Sequence, residues 1–172
     1  GSAPAQLAGA SGLQRSALGH DHSLLLKFDG SILAFGRNET GQLGDGSIVG
    51  HDAPLPVRSL SSIVSVAAGD YHSLALDSQG RVWTWGSDSN GQLARSTALL
   101  RPAPSQISGL SDVTALSAGT EHSLALTQDG RVWSWGNGRN GQLGDGSTTN
   151  HAVPAIVSDI TGVVAISAGA SH

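Results

Sequence analysis

The sequence predicts an all-β protein made of β-propeller blades, each with four antiparallel strands. The chain of 172 residues repeats itself at a fixed interval, each interval holds four strand-like segments, and no stretch has the 3.6-residue apolar periodicity of a helix. Four strands per repeat at about this length are typical of propeller blades. Four histidines lie 50 residues apart and mark the register: His22, His72, His122 and His172.

The third repeat shows the four strands most clearly. Strand A is predicted at Val113–Ala118, where small residues at the end suit the crowded innermost position. Strand B is predicted at His122–Leu126 and strand C at Arg131–Trp135, with a Gly-containing turn between them that suits a tight hairpin. In strand C, aromatic residues alternate with β-branched or small ones, which is the period of two expected of a strand. A weaker strand D is predicted near Ala152–Val157.

The repeat register divides the chain into three full units and two partial ones. Residues 11–60, 61–110 and 111–160 are the full repeats, and strand A recurs in the second at Ile63–Ala68. Residues 1–10 begin with Gly1-Ser2, interpreted as a cloning remnant, and continue with the outer strand of a preceding blade at Ala3–Leu7. Residues 161–172 are interpreted as the first strand of a fourth repeat, Val163–Ala168.

About three and a half blades would leave two apolar blade faces uncovered. Such faces and open sheet edges promote association. We therefore expect either a homodimer or another self-association that completes a propeller, or a longer parent chain that supplies the missing blades.

Composition excludes several functional classes. The net charge of −4 and the pI near 5.9 argue against a nucleic-acid partner, which would require a basic patch. No apolar run approaches the ~18 residues of a membrane span, so no membrane partner is expected. The absence of cysteine removes disulfides, thiol catalysis and Cys-ligated zinc.

The recurrent histidines are expected to be structural. One histidine per blade at the same register position places them apart, whereas a catalytic histidine needs a partner at hydrogen-bond distance. Each imidazole is predicted to tie the A–B corner to a neighbouring backbone. A cluster of histidines around the axis that binds one ion is the less favoured alternative. His20 and His51 break the register and are expected at the surface.

Two further motifs have structural interpretations. The glycine-rich segments 41–47 and 141–147 lack the ligand spacing of a calcium loop and the Gly-Lys-Ser/Thr of a phosphate loop, and are predicted to be turns. The middle repeat has Gln92-Leu93-Ala94-Arg95-Ser96 there, without the Gly and Asp. The strand C tryptophans are expected to pack between blades. They are Trp83, Trp85, Trp133 and Trp135, with Leu33 and Phe35 at these positions in the first repeat.

The candidate binding residues lie in two variable loops of each repeat. The A–B and C–D loops emerge on the same side of an up-and-down blade, and loops on a rigid frame often carry function. An equally favoured interpretation is that these loops are solvent-exposed turns whose sequence varies without a function. The candidates are His20, Asp21, Arg37, Glu39, Asp70, Tyr71, Asp88, Thr120, Glu121 and Arg139.

Three motifs carry a resemblance to a known family. They are Ala-Gly-x-x-His-Ser-Leu-Ala-Leu at 68–76 and 118–126, Gly-Arg-Val-Trp-x-Trp-Gly at 80–86 and 130–136, and Asn-Gly-Gln-Leu at 90–93 and 140–143. This series resembles the regulator of chromosome condensation repeat. The resemblance implies a seven-bladed propeller, of which this chain is about half, and a protein partner bound by loops on one face. The family includes a nucleotide-exchange factor, ubiquitin-ligase modules, a β-lactamase inhibitor and an ultraviolet photoreceptor whose Gly-Trp-Arg-His-Thr motif has no counterpart here.

We therefore expect a non-enzymatic protein-interaction module that uses loops on one face. Neither a catalytic motif nor a cofactor or metal signature is visible, so an enzyme is not expected. One alternative is a guanine-nucleotide exchange factor for a small GTPase, although each loop is short and in register. Another is a propeller fragment with no activity of its own that self-assembles.

Overall fold

The computed structural model describes residues 11–95 and 100–172. Within these residues the chain forms three four-stranded antiparallel sheets and no helix. We call the sheets blades 1, 2 and 3. Blade 1 contains β1 (Leu13–Leu18), β2 (His22–Lys27), β3 (Ile32–Gly36) and β4 (His51–Pro56); blade 2 contains β5 (Ile63–Ala68), β6 (His72–Asp77), β7 (Val82–Ser87) and β8 (Leu100–Gln106); blade 3 contains β9 (Val113–Ala118), β10 (His122–Thr127), β11 (Val132–Gly136) and β12 (His151–Ile156).

Each blade is a meander whose strands lie in chain order, as predicted. The first strands, β1, β5 and β9, are in contact with one another from blade to blade and occupy the inner position. The predicted fold class is therefore confirmed, and strands A to D of the third repeat are placed to within one residue at each end.

The segment Val163–Ala168 pairs with no other strand among the described residues, so it forms no β-ladder there, and its assignment as the first strand of a fourth repeat stays a prediction. A β-strand needs a neighbouring ladder to satisfy its backbone groups. The segment nevertheless lies against blade 3, where Val163 N donates to the carbonyl of Gly130 at 3.1 Å and Ala168 N donates to Ser117 Oγ at 2.8 Å. The predicted strand at Ala3–Leu7 lies outside the described residues.

Apolar side chains fill the space between consecutive blades. Leu24, Leu26 and Leu43 of blade 1 are fully buried in one cluster with Trp85 of blade 2. The same register positions form the second interface, where Trp135 of blade 3 is buried against blade 2. Burying a leucine side chain contributes roughly 1.5–3 kcal/mol, so these interfaces hold the arc together. The expected packing role of the strand C tryptophans is thus observed.

A polar bridge lies inside each apolar interface. His22 Nε2 is 2.9 Å from Ser73 Oγ on the next blade, and Ser73 Oγ donates to the carbonyl of Gln42 at 2.8 Å. Trp85 Nε1 donates to the same carbonyl at 2.8 Å. Because Ser73 donates its proton to the Gln42 carbonyl, His22 must donate from Nε2, and a neutral imidazole here is therefore the Nε2–H tautomer. We call this arrangement the inter-blade bridge.

Blade 2 is linked to blade 3 by the same bridge. His72 Nε2 lies 3.0 Å from Ser123 Oγ, which donates to the carbonyl of Gln92 at 3.1 Å, and Trp135 Nε1 donates to that carbonyl at 2.9 Å. The histidines are therefore structural, as expected. The predicted partner was wrong for His22 and His72, because each of these imidazoles binds a serine hydroxyl of the next blade and reaches the backbone only through it.

The glycine before each A–B loop leaves room for the imidazole. A Cβ on Gly69 would lie 2.2 Å from Cε1 of His72 and 2.4 Å from the carbonyl oxygen of Gly119. Both contacts are far below van der Waals distance, so a side chain here would push the blades apart. The Ala-Gly-x-x-His motif is thus explained by packing.

Burial keeps these imidazoles neutral. Desolvation lowers the pKa of His22 to about 4 and, together with the neighbouring imidazoles, lowers the pKa of His72 to about 3. Burial also lowers the pKa of His122. Protonation would place a charge inside an apolar interface, which is unfavourable.

Replacing Ser73 by Ala should destabilise the fold by ~1–3 kcal/mol, because the buried His22 N–H would lose its acceptor. Ser23, at the same position in blade 1, forms no hydrogen bond with any other described side chain, so Ser23→Ala is the matched control and should change stability by less than ~0.5 kcal/mol. Urea unfolding measures both. Equal losses for the two variants would contradict a stabilising bridge.

Stability should fall as the pH is lowered from about 6.5 to about 4. In this range the unfolded chain protonates its histidines, whereas His22 and His72 in the folded chain stay neutral because their pKa values are depressed. Each contributes up to ~1.4 kcal/mol per pH unit. Urea unfolding at several pH values should give a flatter profile for His72→Gln, whose amide still offers an N–H to Ser123. His20→Gln is the control, because His20 is exposed and its pKa is raised by Asp21. An unchanged slope in His72→Gln would overturn this account.

Candidate interaction face

The A–B and C–D loops lie on one side of the blades. Arg37 Nη1, in the C–D loop of blade 1, is 3.5 Å from Asp21 Oδ2 in the A–B loop. In blade 3, Asn137 Nδ2 donates to Glu121 Oε2 at 2.7 Å across the same two loops. We call this side the loop face, defined by the A–B loops (19–21, 69–71 and 119–121) and the described parts of the C–D loops (37–50, 88–95 and 137–150).

Five of the candidate residues come together where blades 1 and 2 meet. The guanidinium carbon of Arg37 lies 5.8 Å from the ring centroid of Tyr71, within the range of a cation–π contact. Arg37 also forms ion pairs with Asp21 and Glu39. His20 Nδ1 is 2.9 Å from Asp21 Oδ2, and its ring centroid is 6.2 Å from that of Tyr71. We call these five residues the loop cluster.

The electrostatics of the loop cluster follow from these contacts. The hydrogen bond with Asp21 raises the pKa of His20, and the same bond lowers the pKa of Asp21. Glu39 raises the pKa of the Arg37 guanidinium. The charges thus stabilise one another and hold Arg37 over the Tyr71 ring.

Four other candidates are distributed along blades 2 and 3. The backbone N–H of Asp70 donates to the carbonyl of Thr120 at 3.1 Å, so these two A–B loops are joined. Glu121 accepts from Asn137, as described above. Arg139 is exposed and forms no ion pair within the described residues. These residues lie on the loop face without forming a second compact cluster.

Asp88 is not a surface anchor, and its prediction needs correction. It is 7% exposed, and its Oδ1 accepts a hydrogen bond from Leu93 N at 2.9 Å. Asn38 has the same role in blade 1, where Leu43 N donates to its Oδ1 at 2.9 Å. Burial raises the pKa of Asp88 to about 6. The buried carboxylate of Asp88 holds the backbone of its C–D loop by this hydrogen bond and is not available to a partner.

Two apolar residues on the loop face are not among the candidates predicted from the sequence. Ile48 and Val49, at the tip of the blade 1 C–D loop, are 54% and 70% exposed. Asn38 Nδ2 donates to the carbonyl of Val49 at 3.1 Å and fixes this tip. Blade 3 has Thr148 and Thr149 at these positions. That register difference was the signal that could have identified them.

The glycine-rich segments of the C–D loops are turns. Gln42 Oε1 accepts from Thr40 N at 3.0 Å, and Asp45 Oδ1 accepts from Ser47 N at 2.9 Å. Residues 11–95 and 100–172 contain no group of three or more His, Asp or Glu side chains arranged to hold a metal ion. In the same ranges no helix is long and apolar enough to cross a membrane.

Three four-stranded blades joined by repeated bridges define an arc of a β-propeller. The family model described as "Regulator of chromosome condensation (RCC1) repeat" matches residues 29–76, 79–126 and 129–172, and a second model of the same description matches 63–92 and 113–142. The chain belongs to this repeat family. Each of the three longer matches is offset from the blades: the first, for example, covers β3 to β6. The division at 11–60, 61–110 and 111–160 remains our proposal.

Solved structures with the same fold are longer than this chain. Human WBSCR16 is 27% identical with a TM-score of 0.75, covering 84% of this chain and 37% of that chain. Prp20p from Saccharomyces cerevisiae is 26% identical with a TM-score of 0.73, and the match covers 86% of this chain and 39% of Prp20p. Yeast RCC1 (Prp20) bound to Kap60 is 24% identical with a TM-score of 0.78, covering 86% and 37%. The chain thus spans less than two fifths of these structures. A comparison with curated protein sequences gave no match.

Proposed function

We propose that this chain is a non-enzymatic propeller module that binds a protein partner through its loop face. The observation that supports this proposal is the loop cluster, in which residues from three loops of two blades come together and Arg37 and His20 lie beside the Tyr71 ring. Similar propellers have protein partners: yeast RCC1 (Prp20) is bound by Kap60, and Prp20p was examined for binding to Gsp1p and histones.

The chemistry of the loop cluster suits a protein partner. Tyrosine and arginine are enriched among residues that dominate binding energy at protein interfaces. Tyr71 already contacts Arg37 and His20 in the free chain, which reduces the side-chain freedom that binding would have to remove. The exposed apolar tip at Ile48 and Val49 adds surface on the same face.

Removing the centre of the loop cluster should weaken partner binding. A phage-displayed peptide library is selected on the wild-type chain, and the selected peptides are then measured on the Arg37→Ala/Tyr71→Ala double variant. We expect affinity to fall at least roughly tenfold, or 1.4 kcal/mol. Phe28→Ala is the control, because Phe28 is 74% exposed at a B–C turn on the opposite side. Equal affinity for the wild type and the double variant would contradict the proposal.

Guanine-nucleotide exchange is the second candidate, because the repeat family includes a nucleotide-exchange factor and the chain is similar to Prp20p. Release of a fluorescent GDP analogue from a small GTPase discriminates between the two. Accelerated release that depends on Arg37 and Tyr71 would favour exchange, whereas binding without acceleration would favour the interaction module.

We also propose that a second copy of the chain completes the arc. His122 Nε2 is buried and reaches no serine hydroxyl, whereas His22 and His72 each reach a serine of the next blade. Leu124 is only partly buried, although its counterparts Leu24 and Leu74 are fully buried. Both features are those of a blade face that lacks its neighbour.

The mass in solution tests this association. Light scattering after size-exclusion chromatography should give twice the 17.4 kDa of one chain, and Leu124→Asp should reduce it to one chain. Phe28→Asp, which places the same charge on an exposed turn, should leave the dimer intact. A wild-type chain that stays monomeric at all concentrations would overturn the proposal. A dimer that binds no peptide would favour a self-assembling fragment.

A further inference from the structure

A cavity of about 400 Å³ lies between blades 2 and 3, on the side opposite the loop face. Its size falls within the range of ~300–1,000 Å³ that is typical of ligand pockets. The connection from blade 2 to blade 3 supplies Ser111 and Asp112, and the B–C hairpin of blade 3 supplies Gln128 and Asp129. The indole of Trp133 also lines the cavity. This cavity is separate from the loop cluster.

In blade 2 the tryptophan at the corresponding position, Trp83, is covered by an arginine of the same blade. The guanidinium carbon of Arg81 lies 5.9 Å from the ring of Trp83, at cation–π distance. Arg81 Nε donates to Asp77 Oδ2 at 2.7 Å, and Trp83 Nε1 donates to the same oxygen at 3.2 Å. Asp77 is only 2% exposed. Blade 2 therefore contains a guanidinium site made of an indole and a carboxylate, filled by its own arginine.

Blade 3 has the same indole but has lost the internal occupant. Thr127 stands where blade 2 has Asp77, and its hydroxyl donates to Asp129 Oδ1 at 2.6 Å. Arg131 pairs with Asp129 at 3.4 Å, and no cation of the described chain lies over the Trp133 ring. The buried Trp133 Nε1–H has no hydrogen-bond acceptor among the described residues. The exchange of Asp for Thr thus leaves the space beside Trp133 open.

The charges around the cavity favour a cation. Two carboxylates, those of Asp112 and Asp129, line the cavity, and Arg131 forms an ion pair with Asp129 alone. Asp112 accepts a hydrogen bond from Ser111 Oγ at 2.9 Å and forms no ion pair with another described residue. An anionic ligand would be repelled, whereas a planar guanidinium can stack on an indole and bind carboxylates in its plane.

We propose that this cavity binds an arginine side chain of a partner polypeptide, with the guanidinium against Trp133 and its N–H groups on Asp112 and Asp129. The filled site of blade 2 is the precedent within the same chain. Arginine fits better than lysine because an ammonium group cannot stack as a plane on the ring.

The indole N–H signal of Trp133 in a ¹⁵N-correlated NMR spectrum reports on the site, and Trp133→Phe assigns it. N-acetyl-arginine amide should shift this signal at millimolar concentration, and added salt should weaken the effect. N-acetyl-citrulline amide, which has the same shape without the charge, should not shift it. A signal that does not move with the arginine probe, or that moves equally with both, would overturn the proposal.

Two variants locate the binding. Thr127→Asp reproduces blade 2, so Arg131 should move onto Trp133 and the affinity for the arginine probe should fall roughly tenfold. Asp112→Asn should lower the affinity for the arginine probe without bringing Arg131 onto Trp133. Asp29→Asn is the matched control, because Asp29 holds the position of Asp129 in blade 1, where Leu33 replaces the tryptophan. Unchanged binding in Thr127→Asp would contradict the site. Because none of these residues lies on the loop face, either outcome leaves the proposed function there to be judged by its own test.

Discussion

The inter-blade bridge is the contact on which the rest of the structure depends. Apolar faces alone would allow blades to slide, because the hydrophobic effect has no direction. The bridge requires His22 Nε2, Ser73 Oγ and the Gln42 carbonyl to meet at hydrogen-bond distance inside that apolar layer. An unmade bond there would cost about 1–3 kcal/mol, so one register between blades is strongly preferred. The same bridge recurs between blades 2 and 3, so both interfaces have the same register.

The repeated part of the chain could be predicted because each unit is an independent observation of the same structure. Strands A to D appeared in the same register several times, so their type and limits were well determined. The inter-blade partner of His22 could not be predicted, because Ser73 is 51 residues away and also resembles any exposed strand residue. Val163–Ala168 has the composition of a strand, but a strand also needs a neighbour.

Variation between units proved to have more than one physical meaning. At the loop-face positions of Tyr71 and Arg37 it changes what a partner would meet. At Asp88 it changes a buried acceptor, since Asn38 satisfies the same backbone N–H in blade 1. At Thr127 it removes a carboxylate from the wall of a cavity. Sequence comparison between repeats detects all of these differences equally, and only burial and hydrogen bonding separate them.

The position of the loop face on this frame limits how it can recognise a partner. Each A–B loop has only two variable residues between a packed glycine and a bridging histidine, so Tyr71 directly precedes His72. The carbonyl of Tyr71 accepts hydrogen bonds from Ser87 N at 2.8 Å and Thr40 Oγ1 at 3.2 Å, which fixes its backbone from two blades. A loop held in this way cannot rearrange without breaking the interface beneath it. Selectivity on this face must therefore come from which side chains occupy these few positions, because the backbone that presents them is common to every blade.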